Sequence, residues 1–442
     1  MTGALPDGDP VPADGRLPED RLAALGRHPF GIYVHVPFCV TRCGYCDFNT
    51  YTAADLGGGA SRESYPQLAA AEVRMARRVL GAAELPVSSV FFGGGTPTLL
   101  PPAGLGAILA AIGAEFGLAP DAEVTAEANP ESVDERSLAQ LRAQGINRIS
   151  FGMQSAVPRV LHTLDRVHSP GRPAACAAWA RSAGFDHINL DLIYGTPGET
   201  DADWRRSVQA ALAAGPDHVS AYALTVERGT RLAARIARGE IAAPDDDAMA
   251  DRYLAADELF RTHGLSWYEI SNWAAGDAAA CRHNLLYWTG GDWWGIGPGA
   301  HSHAGGVRWW NVKHPAAYAA RIAGGVSPGQ AREILTGDER RLEQVLLLTR
   351  LADGCPVSLL EEAGSAAVAH SGQPVGPAAG GRTRGSAGCD GSARSAISRG
   401  RAAAERAVAD GLADAAAYRD GRVVLTPRGR LLADAVVRDL TS

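Results

Sequence analysis

The chain has 442 residues, 46% hydrophobic and 21% charged; this excludes a fibrous or wholly disordered protein and allows one barrel of about 250–300 residues with appendages, or two to three domains. A net charge of −7, from 42 basic against 49 acidic residues, leaves no basic footprint for a phosphate backbone, so nucleic acid is not an expected partner. No run approaches the roughly 18 apolar residues of a membrane span and the first twenty residues lack the apolar core of a signal peptide, so a cytoplasmic protein is expected, with transient contact to a membrane protein left open.

Residues 1–28, rich in Pro, Gly and Asp, read as a disordered leader. From residue 29, short apolar strands alternate with longer amphipathic stretches, the pattern of βα units and a parallel sheet. Strands are expected at Ile32–Val36, Ser89–Phe92, Glu123–Ala126, Arg148–Phe151, His187–Leu192 and His218–Tyr222. Helices are expected at Arg62–Leu80, Val133–Gln144 and Ala174–Ala183, each stopped by a Gly near its end. The fold class is α/β: right-handed crossovers would curl the six units into a partial (β/α)6 TIM-like barrel over 29–225, with strand carboxyl ends and the loops after them facing the active site. After Tyr222 the alternation weakens. A helix near Ala248–Thr262, a strand at Trp267–Ile270 and an aromatic-rich segment from Cys281 to Trp310 read as a lid or accessory region over 226–326. Residues 327–442 read as helices followed by a strand pair near Tyr418–Leu425, a small winged-helix-like domain. It is interrupted at 371–400 by a Gly-, Ser-, Ala- and Arg-rich stretch that cannot bury a core, a flexible insertion in which Cys389 would be an unligated thiol.

The seven cysteines (39, 43, 46, 176, 281, 355 and 389) are odd in number, and three crowd into one short loop, so metal binding explains them better than a disulfide framework. The segment from Tyr33 leaves a strand and enters a loop holding Cys39, Cys43 and Cys46. A cubane iron-sulfur cluster normally takes four thiolates; three local ones leave one iron free to bind a small molecule, a catalytic rather than a structural arrangement. A structural zinc site that borrows a distant Cys or His is the alternative.

Four other positions fall at successive strand ends. Gly94, Gly95 and Thr96 follow the second strand, where glycines let backbone approach a ligand, or simply make a tight turn. Glu127 closes the third strand and could accept hydrogen bonds from a ribose or an ammonium group. Gln154 follows the fourth, with Arg166 twelve residues beyond as a forked donor for a carboxylate, and Asp191 closes the fifth. Singly, each is as well explained by a cap or a surface ion pair; their recurrence is the signal.

Cys-x3-Cys-x2-Cys with an aromatic before the last Cys resembles the signature of the radical S-adenosylmethionine superfamily. The resemblance implies a [4Fe-4S] cluster whose fourth iron is chelated by the methionyl amino and carboxylate groups of S-adenosyl-L-methionine. It further implies that Tyr45 packs beside the adenine, that Gly94, Gly95 and Thr96 meet the methionyl amino group, and that Tyr33, Glu127, Gln154, Arg166 and Asp191 belong to the cofactor site. From about residue 29 onward the chain is similar to the family of oxygen-independent coproporphyrinogen III oxidases and HemW-type heme chaperones, through Tyr33-Val-His-Val-Pro-Phe-Cys39, Gly-Gly-Gly-Thr-Pro-Thr, Asp191-Leu-Ile-Tyr-Gly, Tyr268-Glu-Ile-Ser-Asn and Gly295-Ile-Gly-Pro-Gly-Ala-His301. The oxidases carry a further cysteine two positions after the third ligand. Phe48 stands there in this chain, which favours the chaperone branch.

Arg282-His283-Asn284-Leu-Leu-Tyr287-Trp288 resembles a segment associated with heme binding in that branch, which implies His283 as an axial ligand; a packed core histidine is the other reading. Trp288, Trp293, Trp294, Trp309 and Trp310 would form a porphyrin surface or a second core. The expected function is a heme chaperone that holds heme, the cluster and S-adenosylmethionine and passes heme to an unidentified acceptor protein. The alternative is an enzyme that oxidatively decarboxylates two propionates of coproporphyrinogen III to vinyls.

Overall fold

Runs rich in Val, Ile, Leu and Phe become strands buried on both faces, as parallel strands covered by helices require. A computed structural model describes residues 8–53, 55–56, 60–361 and 390–442. The chain divides into two compact units, residues 1–334 and 335–442.

The first unit is built on one mixed sheet. Its strands are β1 (Asp9–Pro10), β2 (Phe30–Val36), β3 (Val87–Gly94), β4 (Leu118–Ala128), β5 (Arg148–Gln154), β6 (His187–Tyr194), β7 (His218–Ala223), β8 (Ser266–Glu269), β9 (Asn272–Ala274), β10 (Asp292–Ile296), β11 (His301–Ala304), β12 (Val307–Asn311) and β13 (Gly329–Ile334). They pair in the order β1-β13-β12-β11-β10-β2-β3-β4-β5-β6-β7-β9-β8, an open sheet of 13 strands. The six expected strands are β2 to β7, parallel and adjacent in chain order. Helices Tyr65–Leu80, Glu135–Ala143 and Arg172–Ser182 fall within the expected ranges or within two residues of them. The first begins after residue 64 because Ser61 and Ser64 accept each other's backbone N–H on their hydroxyls at 3.1 Å, closing a turn ahead of it.

Three expectations about the surrounding segments need correction. The leader is not disordered over its described part: β1 pairs antiparallel with β13 through Asp9↔Arg332 and Pro10↔Ala331, and Ser327 donates its N–H to Ala13 O at 2.8 Å. A proline is tolerated there because β1 is an edge strand. Next, the aromatic-rich segment extends the main sheet rather than forming a separate layer, since β10 pairs parallel with β2 over Asp292↔Phe30 to Ile296↔Val34. Trp294, Trp309 and Trp310 are buried, the first two with ring centroids 4.8 Å apart, so they form a second core and not a porphyrin surface. Finally, residues 329–334 join the first unit as β13, which moves the boundary from the expected 327 to 335.

In the second unit, helix Gly337–Leu348 starts on a capping box in which Thr336 and Glu339 exchange bonds. The expected strand near residue 422 forms, but its partner is Cys355–Pro356 rather than a neighbouring strand, and Tyr418 lies in helix Ala415–Arg419, capped by Asp414. Helix Asp390–Ala409 begins inside the stretch expected to be a flexible insertion; residues 371–389, including Cys389, lie outside the described residues. Among the described residues no helix is long and apolar enough to cross a membrane.

Candidate active site at the strand ends

The loop between β2 and the first long helix carries the three thiols, and main-chain bonds fix its course. Cys39 N–H donates to Tyr51 O at 3.0 Å, Thr96 N–H to Phe38 O at 2.8 Å, and Gly44 N–H to Leu164 O at 3.1 Å. Cys39, Cys43 and Cys46 are free thiols, half-buried, and all three line one cavity of about 720 Å³ at the carboxyl ends of the strands. Burial pushes the Cys39 and Cys46 thiols up, so a metal must displace protons to bind them. Among the described residues no three Cys, His, Asp or Glu side chains converge on one point, as a single ion would require. In a cubane each thiolate takes a different iron, and such convergence is not needed.

The glycine loop is packed against this one. A Cβ at Gly95 would stand 2.5 Å from Phe38 O and 3.1 Å from Cys39 Sγ, and Gly94 has φ +110°, which side chains disfavour. Gly94 N–H donates to Glu127 Oε2 at 3.1 Å. Burial, with the Asp191 charge nearby, pushes Glu127 up to about 8, so near neutral pH it is a protonated carboxyl that would ionise if an ammonium group approached. Asp191 is also raised by burial, although it accepts from Ser150 Oγ at 2.7 Å and Asn189 Nδ2 at 2.8 Å. Gln154 sits in the left-handed region at φ +63°, a sparsely populated conformation for a non-glycine residue. Arg166 donates through Nη2 to Gly152 O at 2.7 Å and through Nη1 towards Cys43 Sγ at 3.8 Å, while its buried Nε has no partner. Tyr45 packs beside the apolar cluster of Val157, Val160, Leu164, Ile193, Leu224 and Leu232.

The expected site residues therefore separate into two groups. Cys39, Cys43, Cys46, Tyr45, Gly94, Gly95, Thr96, Glu127, Gln154, Arg166 and Asp191 line the same cavity. Tyr33 and His283 do not. Tyr33 donates its hydroxyl to His35 Nδ1 at 3.0 Å, and its ring stacks on Phe91 with centroids 6.3 Å apart. His283 is buried in the interior: Nδ1 bonds Ser89 Oγ at 2.9 Å, Nε2 bonds the Tyr287 hydroxyl at 2.8 Å, and the ring stacks on Phe91 at 5.2 Å. Burial lowers its pKa to about 3. With both nitrogens engaged, neither is open to an iron, and the axial-ligand expectation gives way to the packed-core reading in this structure.

His35 and Asn49 were missed. His35 Nε2 donates to Asn49 O at 2.9 Å, while Asn49 Nδ2 donates to Pro298 O at 3.0 Å and Lys313 O at 2.8 Å, tying the cysteine loop to the segments before β11 and after β12. With Tyr33 O–H donating to Nδ1, His35 is held neutral, and burial lowers its pKa to about 4. Its place four residues before Cys39 was the signal.

The Radical SAM superfamily model matches residues 33–211, the span of β2 to β6 and the helices between them. A protein of Mycobacterium tuberculosis (strain ATCC 25618 / H37Rv) named Heme chaperone HemW is 51% identical over 419 residues, 95% of this chain and 96% of its own. By that identity and coverage the chain belongs to the HemW family of radical S-adenosylmethionine proteins. A Mus musculus relative, Radical S-adenosyl methionine domain-containing protein 1, mitochondrial, is 40% identical over 64% of each chain. The solved structure of coproporphyrinogen III oxidase (HemN) from Escherichia coli aligns with TM-score 0.74 over 99% of this chain and 97% of its own, at 20% identity, so it shares the fold.

Proposed function

We propose that the protein is a heme chaperone that binds heme, carries a [4Fe-4S] cluster with S-adenosyl-L-methionine, and hands heme to an acceptor protein. The identity of 51% along nearly the whole of a protein named Heme chaperone HemW carries this reading. Phe48 supports it: it lines the cavity, two residues past Cys46, where the oxidase branch is expected to place another thiol.

The residues present fit the cofactors. Cys39, Cys43 and Cys46 would hold the cluster as three thiolates, and the Gly94–Gly95 turn, which a Cβ would obstruct, would let backbone lie against the methionyl group. Bound there, the cluster and S-adenosylmethionine supply one-electron chemistry at a sulfonium. Glu127 would take the charge of the methionyl ammonium, Arg166 that of its carboxylate, and Asp191 the ribose hydroxyls. Three thiols kept as cluster ligands support a cytoplasmic protein, since thiols persist in a reducing compartment.

Anaerobic titration of the cluster-loaded protein with hemin tests the reading. A saturable Soret shift near one heme per chain is expected; no shift would refute it.

A further inference from the structure

We propose that the mouth of the strand-end cavity is the heme seat, with Val40, Phe48, Val167 and Tyr222 as the apolar ledge under one porphyrin face and Arg42 as the propionate contact. The proposal rests on the heme-chaperone reading and assigns its binding surface. Of the nine exposed large apolar side chains among the described residues, these four line this one cavity, at 71, 59, 77 and 41% exposure. Single exposed apolar residues are ordinary, but four from three separate elements around one opening are not. Val40 and Phe48 come from the cysteine loop, Val167 from the segment after helix Pro158–Thr163, and Tyr222 from the end of β7.

The deeper wall differs in character. There Glu127, Gln154 and Asp191 offer charged and polar atoms suited to a small zwitterion. The mouth suits a flat, apolar ligand that carries anionic groups at its edge. Arg42 is exposed on the rim, donates only to the carbonyl of Phe48 at 3.3 Å, and joins no ion pair among the described residues, whereas the nearby Arg231 is paired with Asp165 at 3.7 Å. A porphyrin whose propionates meet Arg42 fits that combination. The placement also seats heme without His283, which the interior already satisfies.

The test is hemin titration of the reconstituted full-length protein and of Val167→Asp, Phe48→Asp and Arg42→Glu, with Leu254→Asp as a control at an exposed apolar position away from the cavity. Iron and sulfide content verify that each variant is loaded. Each rim aspartate should weaken heme at least about tenfold, the scale of losing one buried apolar side chain, and Leu254→Asp should not. Wild-type affinity in all rim variants would overturn the site while leaving the chaperone reading standing. A wild-type protein that fails to bind hemin would overturn that reading and the site with it.

Discussion

Replacing His283 with alanine separates a ligand from a core residue. The imidazole is 1% exposed and bridges two hydroxyls, Ser89 Oγ at 2.9 Å and Tyr287 OH at 2.8 Å, while its ring stacks on Phe91. Leaving two buried hydroxyls without a partner costs about 1–3 kcal/mol each, and loss of the ring contact adds about 0.5–1.5 kcal/mol. Water entering the void recovers part of this, so a net loss of about 3–5 kcal/mol is expected. For a unit of this size the melting temperature should fall on the order of 5–10 °C. Thermal unfolding by circular dichroism reads that shift, and hemin titration of the same variant below its melting temperature should return an affinity within about twofold of wild type. An unchanged melting temperature with a lost Soret band would refute the buried arrangement and restore the imidazole as an iron ligand.

His283→Gln should alter the pH profile: the folded imidazole titrates near 3 against an ordinary 6.5, so the folded state binds fewer protons between those values and wild type loses stability as pH falls below 6.5. The His283 share of that loss, about 1.4 kcal/mol per pH unit, should be absent from the Gln variant, so its denaturant midpoint should fall less than that of wild type between pH 7 and pH 5, with the share of His35 remaining in both. Gly95→Ala would drive a methyl against Phe38 O and Cys39 Sγ, at 2.5 and 3.1 Å, and should lower iron and sulfide per chain after reconstitution; full loading would show that the loop yields freely. Glu72 is fully buried and accepts from Gly297 N–H at 2.7 Å, Asn311 Nδ2 at 2.8 Å and the Tyr318 hydroxyl at 2.7 Å. Glu72→Ala strands these three donors and should cost about 3–5 kcal/mol, read as a shifted urea midpoint, and an unshifted midpoint would contradict the buried network.

The six parallel strands were legible from short apolar stretches, those of β2, β5 and β6 buried along nearly their whole length, and their carboxyl ends fell where the polar motifs cluster. Glu127, Gln154 and Asp191 were legible for the same reason, since a residue at a strand end has its direction set by the strand, whereas the loop residues Cys39, Cys43, Cys46 and Tyr45 were legible through the Cys-x3-Cys-x2-Cys motif and the resemblance it carries. His283 was not. It lies on a short helix, Arg282–Trp288, whose first N–H groups donate to the buried Glu123, and local pattern does not show which way such a helix turns its histidine. Pro10 and the tryptophans of β10 and β12 depend on pairings with strands far off in the chain, such as Asp9 with Arg332, which composition averages away. The exposure of Val40, Phe48 and Val167 is likewise a property of the assembled mouth and not of any local run.

Heme delivery and porphyrinogen oxidation are separated by one reconstituted sample measured two ways. Anaerobic hemin titration and turnover of coproporphyrinogen III with reductant and S-adenosylmethionine should give saturable heme binding and no vinyl product. Vinyl product formed at a catalytic rate, with hemin unbound, would contradict the account.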